Sequence, residues 1–287
     1  MQAPDDGLRR LFRTPHYLEM AARLASQYAA ASPFPHVVID DFLPEPLAAR
    51  VLAEFPPPET AAWDRLERSA YSKKLAANRE DQVGQFIFDI LEELNGADFL
   101  RFLETLTGIQ GLTPDPYLEG GGLHQILPGG FLKVHADFNF HSSLRLDRRL
   151  NLLIYLNHDW RDEYAGHLEL WNRSMTQCEV RILPVFNRAV LFSTTDWSFH
   201  GHPDPLQCPP GMTRKSMALY YYSRGRPEEE LSSAHSTLWQ VRPSEPDGSR
   251  LAWARRLRRL ARALDRVPKA LRNKADALDG LPPGQGD

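Results

Sequence analysis

The stretch Phe131-Leu132-Lys133-Val134-His135-Ala136-Asp137 decides how we interpret this sequence. Its first six residues, Phe131–Ala136, have the apolar and β-branched character of a strand, and Asp137 follows directly after it. Residues two apart on a strand face the same side, so His135 and Asp137 can bind one metal ion together. A His-x-Asp pair alone is more often a surface hydrogen-bonding pair, so the metal hypothesis depends on a third ligand.

His200 is our candidate for this third ligand. It follows an apolar predicted strand, Ala189–Ser193, as a ligand from across a small β-barrel would. Two histidines and one carboxylate are the ligand set of non-haem Fe(II) oxygenases, which leaves coordination positions for a cosubstrate and O₂. A closed zinc site would need four protein ligands. His202 has the same strand parity as His200 and is the alternative third ligand.

Arg214 and Ser216 are again two residues apart, at the start of the apolar run Met217–Tyr222. On a strand their guanidinium and hydroxyl groups can bind one carboxylate together. An isolated arginine is more often part of a surface salt bridge. The order of a metal pair, a third histidine and then Arg-x-Ser favours the carboxylate site.

Short apolar runs separated by turn residues fill residues 117–223. The predicted strands are Leu123–Leu127, Phe131–Ala136, Asn151–Leu156, Leu168–Trp171, Val180–Ile182, Ala189–Ser193 and Met217–Tyr222. Many short strands at this spacing are typical of a jelly roll. We therefore predict an α+β fold with a mainly β core, in which a double-stranded β-helix is flanked by N-terminal helices.

The N-terminal half has a different pattern. Apolar spacing predicts helices in residues 7–31, a strand at His36–Phe42, a helix at Leu47–Phe55 and two more helices within Val83–Thr107. The stretch from 56 to 78 combines prolines and aromatic residues without periodicity. It is interpreted as a long loop and as a candidate lid.

We expect four parts along the chain: a helical preface in residues 1–35, a catalytic domain in 36–242 with its jelly-roll core at about 117–223, a linker in 243–249 and a basic helical tail in 250–274. The tail carries ten basic residues and one acidic residue, although the whole chain has a net charge of −3. We expect it to fold back on the acidic remainder rather than to bind an anionic membrane, so truncation after Pro243 should lower stability or solubility and spare ligand binding.

Composition excludes several classes of protein. The 287 residues are 42% hydrophobic and 25% charged, which is typical of a globular protein and not of a disordered or fibrous one. The small net charge predicts no general attraction to nucleic acid. Cys178 and Cys208 are too few for a disulfide framework, and Asp5 and Asp6 replace the apolar run of a signal peptide, so we expect a cytoplasmic protein.

The segment from about Leu123 to Ser223 resembles the Fe(II)/2-oxoglutarate-dependent dioxygenases, specifically those of the prolyl 4-hydroxylase type. Five pieces carry the resemblance in the family's order: His135-Ala136-Asp137, Tyr155–Trp160 with Ala165–Leu170, Asn187-Arg188, Phe199-His200-Gly201 and Arg214-x-Ser216. Two features depart from the family pattern. A proline-rich interval separates His200 from Arg214, and Ala165-Gly166 replaces a common Gly-Gly.

The resemblance implies a role for each matching residue. The iron ligands would be His135, Asp137 and His200, and because Asp137 retains the carboxylate, hydroxylation is favoured over halogenation. The distal carboxylate of 2-oxoglutarate would be bound by Arg214, with help from Ser216 and Tyr155. Gln125 would lie near the cosubstrate. The implied cofactors are Fe(II), 2-oxoglutarate and O₂, with ascorbate as a reductant, and the implied products include succinate and CO₂.

Two other functions remain open from the sequence. One is a non-catalytic jelly roll that binds a ligand or regulates a partner, and the other is a cupin-like metal isomerase or hydrolase. A binding module would not require the triad together with Arg214, and an isomerase would give Arg214 and Ser216 no task. The expected substrates are amino-acid-like, peptidyl or other small metabolites, and the oligomeric state stays open.

Overall fold

The computed structural model describes residues 8–60, 63–68 and 70–245. The basic tail predicted for residues 250–274 lies outside these ranges. The chain divides into two compact units, Met1–Gln240 and Val241–Asp287. All elements named below belong to the first unit.

Helices cover the N-terminal part of this unit. A short 3₁₀ helix at Leu8–Arg13 precedes five α-helices, which are α1 (Pro15–Ala30), α2 (Glu45–Ala53), α3 (Glu80–Val83), α4 (Gln85–Leu94) and α5 (Ala97–Thr107). The predicted helices are confirmed, including the break between α4 and α5. None of the helices in the described residues is both long and apolar enough to cross a lipid bilayer.

The strands belong to one curled sheet. They are β1 (His36–Ile39), β2 (Asp64–Arg68), β3 (Tyr71–Ala77), β4 (Thr113–Pro114), β5 (Gly122–Ala136), β6 (Phe140–His141), β7 (Leu146–Tyr155), β8 (Leu168–Trp171), β9 (Cys178–Ile182), β10 (Arg188–Ser193), β11 (His200–His202), β12 (Arg214–Ser223) and β13 (Leu238–Trp239). Along the main path the order is β1-β10-β7-β12-β5-β11-β8-β9. The predicted jelly-roll architecture with flanking helices is confirmed.

Strand β5 joins the two halves of this sheet. Its first part pairs with β12, and its second part pairs with β11. Between them lies Pro128-Gly129-Gly130, where the sequence predicted a break between two strands. At Gly130 a Cβ atom would lie 2.6 Å from the Ile126 side chain and 2.8 Å from the Ser72 carbonyl oxygen. Glycine therefore allows β5 to continue while the sheet curls around it.

Alternation along β7 separates the core from the inside of the curl. Leu150, Leu152 and Ile154 pack in the large core that also contains residues of the N-terminal helices. Asn151 and Leu153 line the cavity inside the curl. Because neighbouring side chains of a strand face opposite sides, one strand stabilises the helical layer and builds the site.

The prediction of a loop from 56 to 78 is wrong for most of that segment. β2 and β3 pair with each other in antiparallel fashion, and β3 also pairs with β5 along its length. The hairpin formed by β2 and β3 extends the sheet because β5 offers an unpaired edge. Its charged residues, such as those of Asp64–Arg68, hid the strand pattern, since they lie on a mostly exposed strand.

Candidate metal and cosubstrate site

Two strands bring the three predicted metal ligands together. His135 lies near the end of β5, and Asp137 follows directly after that strand. His200 begins β11 and is the antiparallel partner of His135. The two imidazole rings are 4.5 Å apart between centroids. The sheet register therefore places the third ligand beside the first two, as the motif order predicted.

The ligand atoms of this triad converge on one point. His135 Nε2 is 3.4 Å from Asp137 Oδ1, and His200 Nε2 is 3.5 Å from Asp137 Oδ2. One donor atom from each of the three residues lies within 4.8 Å of the others. His202, the alternative third ligand, pairs with Leu132 instead and is not part of this group.

Backbone carbonyl groups orient both imidazoles. His135 Nδ1 lies 2.8 Å from the Lys133 carbonyl oxygen, and His200 Nδ1 lies 2.9 Å from that of Ser198. A carbonyl oxygen only accepts, so each Nδ1 carries the proton and donates it. Each Nε2 then keeps a free lone pair directed at the triad, which is the tautomer that a metal ligand needs.

Asp137 is held by two residues that the sequence interpretation missed. Arg148 Nη2 donates to Asp137 Oδ2 at 3.0 Å, and Asn151 Nδ2 donates to the same oxygen at 2.7 Å. Arg148 also donates to Asn151 Oδ1. Simple alternation would put residues 148 and 151 on opposite faces. The β12–β7 register shifts between Tyr221 and Tyr222, and this irregularity brings Arg148 to the cavity side.

Electrostatic interactions keep Asp137 ionised and His200 neutral. Burial raises the pKa of Asp137, but Arg148 and then His200 outweigh it and hold that pKa well below its usual range. Burial, followed by the neighbouring His135, lowers the pKa of His200 to about 4. The carboxylate is therefore ionised and His200 neutral at neutral pH, which are the states that bind metal.

Arg214 is a buried cation at another point of the same cavity. Its Nε donates to the Gly166 carbonyl oxygen at 2.7 Å, and its Nη2 donates to the Tyr155 hydroxyl at 3.2 Å. No carboxylate of the described part of the chain forms a salt bridge with it. Burial lowers the pKa of Arg214, which shows that its charge is only partly compensated by the protein. Such a group suits an anionic ligand.

Ser216 and Tyr155 accompany Arg214, as predicted, whereas Gln125 does not. Ser216 is the antiparallel partner of Tyr155 and lines the cavity. Gln125 is absent from the cavity lining and donates its amide to the Thr213 hydroxyl at 2.8 Å. It alternates along β5 with His124 and Ile126, which do line the cavity. The structure therefore places Gln125 on the opposite face of β5 from the site.

The cavity has a volume of about 240 Å³ and contains the triad, Arg214 and Ser216 in its lining. Aromatic residues form much of the wall near the metal ligands. The Trp239 ring lies 5.0 Å from the His135 ring, and the Tyr71 ring lies 6.0 Å from Trp239. Trp239 belongs to β13, which pairs with the end of β5. Sequence reasoning did not find this short strand, because two residues show no periodicity.

These residues fit an Fe(II) ion with a dicarboxylate cosubstrate. Two imidazoles and one carboxylate supply the oxygenase ligand set and leave the remaining positions open. Arg214, with Ser216 and Tyr155, supplies donors for a carboxylate in the same cavity. The observation that decides the fit is a buried arginine that has no acidic partner among the described residues, in reach of a ligand that the triad would also bind.

Comparison with known proteins identifies the same chemistry. Residues 121–222 match the model of the 2OG-Fe(II) oxygenase superfamily. The matched segment includes every predicted metal ligand, Arg214 and Ser216. The match supports a 2-oxoglutarate-dependent dioxygenase, so the resemblance predicted from the motifs is confirmed. A comparison with curated protein sequences gives no match.

Two solved prolyl hydroxylase structures align with this chain. A prolyl hydroxylase from Trichoplax adhaerens, in complex with a peptide fragment of the hypoxia inducible factor oxygen degradation domain, aligns with a TM-score of 0.53 at 17% identity and covers 73% of this chain and 94% of its own. A Pseudomonas putida prolyl-4-hydroxylase aligns with a TM-score of 0.46 at 19% identity and covers 72% of this chain and 100% of its own. At this identity the first likeness establishes the fold alone.

Proposed function

We propose that the chain is a 2OG-Fe(II) oxygenase, the superfamily whose model matches residues 121–222, and that it hydroxylates an unactivated C–H bond of an amino-acid-like, peptidyl or other small-metabolite substrate. In this reaction 2-oxoglutarate loses CO₂ and becomes succinate. One oxygen atom of O₂ enters succinate, and the other enters the product. Fe(II), when bound by His135, Asp137 and His200, supplies the position at which O₂ and 2-oxoglutarate react.

The observation that carries this proposal is the pairing of the triad with Arg214 in one cavity. Arg214 binds the distal carboxylate of 2-oxoglutarate, and the Ser216 hydroxyl donates to the same group. Arg148 fixes the rotamer of Asp137, so this carboxylate presents Oδ1 on the side of His135. The rings of Trp239 and Tyr71 line the metal side of the cavity. A cupin-like isomerase would not use the buried Arg214, and a regulatory jelly roll would not need the triad.

The proposed substrate class includes peptides, free amino acids and other small metabolites. The Trichoplax relative was solved with a peptide, which is consistent with a peptidyl substrate for this fold. We further propose that ascorbate restores Fe(II) after unproductive turnover, as the family resemblance implies.

Turnover with labelled oxygen tests the proposal. The purified chain is incubated with Fe(II), 2-oxoglutarate and ¹⁸O₂, first alone and then with prolyl peptides, free amino acids or a metabolite extract. We expect iron-dependent succinate that carries one ¹⁸O atom, and a product that carries the other. Succinate that forms equally well in the His135→Ala variant, or no succinate with any addition, would contradict the proposal. Asp162→Asn, a carboxylate change at an exposed site, is the control.

A further inference from the structure

Lys74 is a cation in the cavity wall to which the proposed reaction gives no role. It lies on β3, in the segment that the sequence predicted as a loop, and its side chain lines the same cavity as the triad. Neither a hydrogen bond nor a salt bridge joins its ammonium group to any residue in the described ranges. A partly buried ammonium group without a partner loses hydration and gains nothing in return, unless a ligand supplies the partner.

The sheet register places Lys74 opposite Arg214. Lys74 is the antiparallel partner of Ile126 on one side of β5, and Arg214 is the partner of the same Ile126 on the other side. All three side chains line the cavity. The two cations therefore form a row across three strands, with an apolar residue between them. A ligand that lies over Ile126 is within reach of both.

The charges of the cavity lining are unbalanced. Its cationic side chains are those of Lys74, Arg148 and Arg214, and its one carboxylate among the described residues is that of Asp137. Arg148 pairs with Asp137 at 3.0 Å. This leaves two cations, on β3 and β12, without an acidic partner. The charged groups that act on Lys74 are those of Asp137, Arg214 and Arg148.

Two neighbouring histidines are neutral and leave this charge imbalance unchanged. His124 Nε2 and His202 Nδ1 are buried without hydrogen-bond partners. Burial, together with the charges of Lys74 and Arg214, holds the pKa of each well below its usual range, so both imidazoles are neutral. This side of the cavity thus offers two cations and two neutral polar groups. It is complementary to an anion that extends from the triad towards Arg214.

We propose that Lys74 is a second cationic contact for 2-oxoglutarate, which it reaches from β3 while Arg214 holds the cosubstrate from β12. This inference rests on the proposed function, since it assumes that 2-oxoglutarate binds between the triad and Arg214. 2-Oxoglutarate is a dianion, so a second cation beside Arg214 favours its binding. Its binding then ties the β2–β3 hairpin to the central strands through a charge, in addition to the pairing of β3 with β5.

Anaerobic titration of the Fe(II)-loaded protein with 2-oxoglutarate, followed by the visible charge-transfer band, tests the proposal. We expect Lys74→Met to raise the Kd for 2-oxoglutarate about tenfold or more, and Lys74→Arg to restore part of the affinity. Lys73→Met is the matched control, because Lys73 is exposed and donates to the Pro128 carbonyl oxygen. The Kd of Lys73→Met for 2-oxoglutarate should equal that of the wild type. An unchanged Kd in Lys74→Met would assign Lys74 to another ligand and overturn the inference.

Titration with pyruvate, which lacks the distal carboxylate, shows which end of the cosubstrate Lys74 contacts. An equal loss of affinity for both ligands places Lys74 at the keto-acid end, and a loss for 2-oxoglutarate alone places it at the distal end. Both results support the contact. Failure of the wild type to bind 2-oxoglutarate would instead contradict the proposed function, so the two failures are distinguishable.

A measurement on the unmodified chain avoids any effect of the substitution on folding. The protein is loaded with Zn(II) in place of iron and treated with an amine-acetylating reagent, with and without 2-oxoglutarate. Mass spectrometry then compares acetylation of Lys74 and Lys73. We expect 2-oxoglutarate to protect Lys74 at least severalfold and to leave Lys73 unchanged. Equal acetylation of Lys74 in both samples would contradict the contact.

Discussion

The metal end and the cosubstrate end of the cavity differ in how far the protein satisfies its own charges. At the metal end each imidazole is oriented by a carbonyl oxygen, and Asp137 accepts hydrogen bonds from Arg148 and Asn151. At the other end Arg214 and Lys74 have no acidic partner in the described residues. The metal end is therefore preorganised, and the cosubstrate end depends on its ligand for charge balance.

This difference has a consequence for binding energy. A preorganised ligand set costs little conformational entropy when the metal binds. A buried cation without a partner is destabilising in the free protein, and an anionic ligand removes that cost. We therefore expect the affinity for 2-oxoglutarate to respond to single charges, and the affinity for metal to respond to the residues that hold the ligands in place.

Removal of a ligand from the metal end should have the largest effect. Asp137→Ala takes away the one carboxylate of the triad and leaves Arg148 buried without its partner. We expect turnover of 2-oxoglutarate to succinate to fall at least about a thousandfold, since the activity depends on the metal. Succinate assays under saturating Fe(II) measure it. Activity within a few fold of the wild type would remove Asp137 from the site.

Arg214→Ala tests the cosubstrate end and should have the next largest effect. A charge-assisted hydrogen bond contributes about 1.5–3 kcal/mol, which corresponds to a Kd for 2-oxoglutarate raised about 10- to 150-fold. Ser216→Ala should raise it less, because a neutral hydroxyl contributes about 0.5–1.5 kcal/mol. Isothermal titration measures both. Arg181→Ala, at an exposed arginine, is the control, and an Arg214→Ala protein with wild-type affinity would contradict this assignment.

Arg148 and Arg149 are adjacent on β7, and variants of the two residues separate an effect on the metal site from an effect on folding. Arg148→Met removes the donor that orients Asp137, so we expect the affinity for Fe(II) to fall about 10- to 100-fold. Arg149→Met is the matched control, because Arg149 is also buried but donates to Ser223 and not to the site. Metal titrations of the two variants should differ. Equal losses would show that the effect is one of folding and not of ligand orientation.

A pH titration should show the smallest effect, and it concerns the cosubstrate end alone. Burial lowers the pKa of Lys74 to about 8, with Asp137 opposing and Arg214 and Arg148 adding to the shift. Above this pH the amine loses its proton and its charge, so wild-type affinity for 2-oxoglutarate should fall several fold between about pH 7.5 and 9. Lys74→Met should show no such decline. A parallel decline in both proteins would contradict the role of Lys74 charge.

Strand alternation and motif order suffice to group His135, Asp137 and His200 from the sequence, and the structure brings these three side chains together. The sequence grouped Arg214 and Ser216 by the same alternation. It could not predict Arg148, whose side chain reaches the cavity only through a register shift. The sequence placed Gln125 near the cosubstrate from its distance along the chain to His135. Pro128-Gly129-Gly130, where β5 curls, lies between the two residues, so this distance does not put them on the same face. Lys74 was missed because the sequence of β3 shows no clear strand pattern, and β3 is recognised as a strand only from its pairing with β5.

Anaerobic addition of 2-oxoglutarate to the Fe(II)-loaded chain tests most directly the claim that the triad and Arg214 form one oxygenase site. We expect a weak visible charge-transfer band that saturates at one 2-oxoglutarate per chain. The band should be absent in His135→Ala and require much more 2-oxoglutarate in Arg214→Ala. A wild-type protein that binds Fe(II) but develops no such band would contradict the assignment of one oxygenase site.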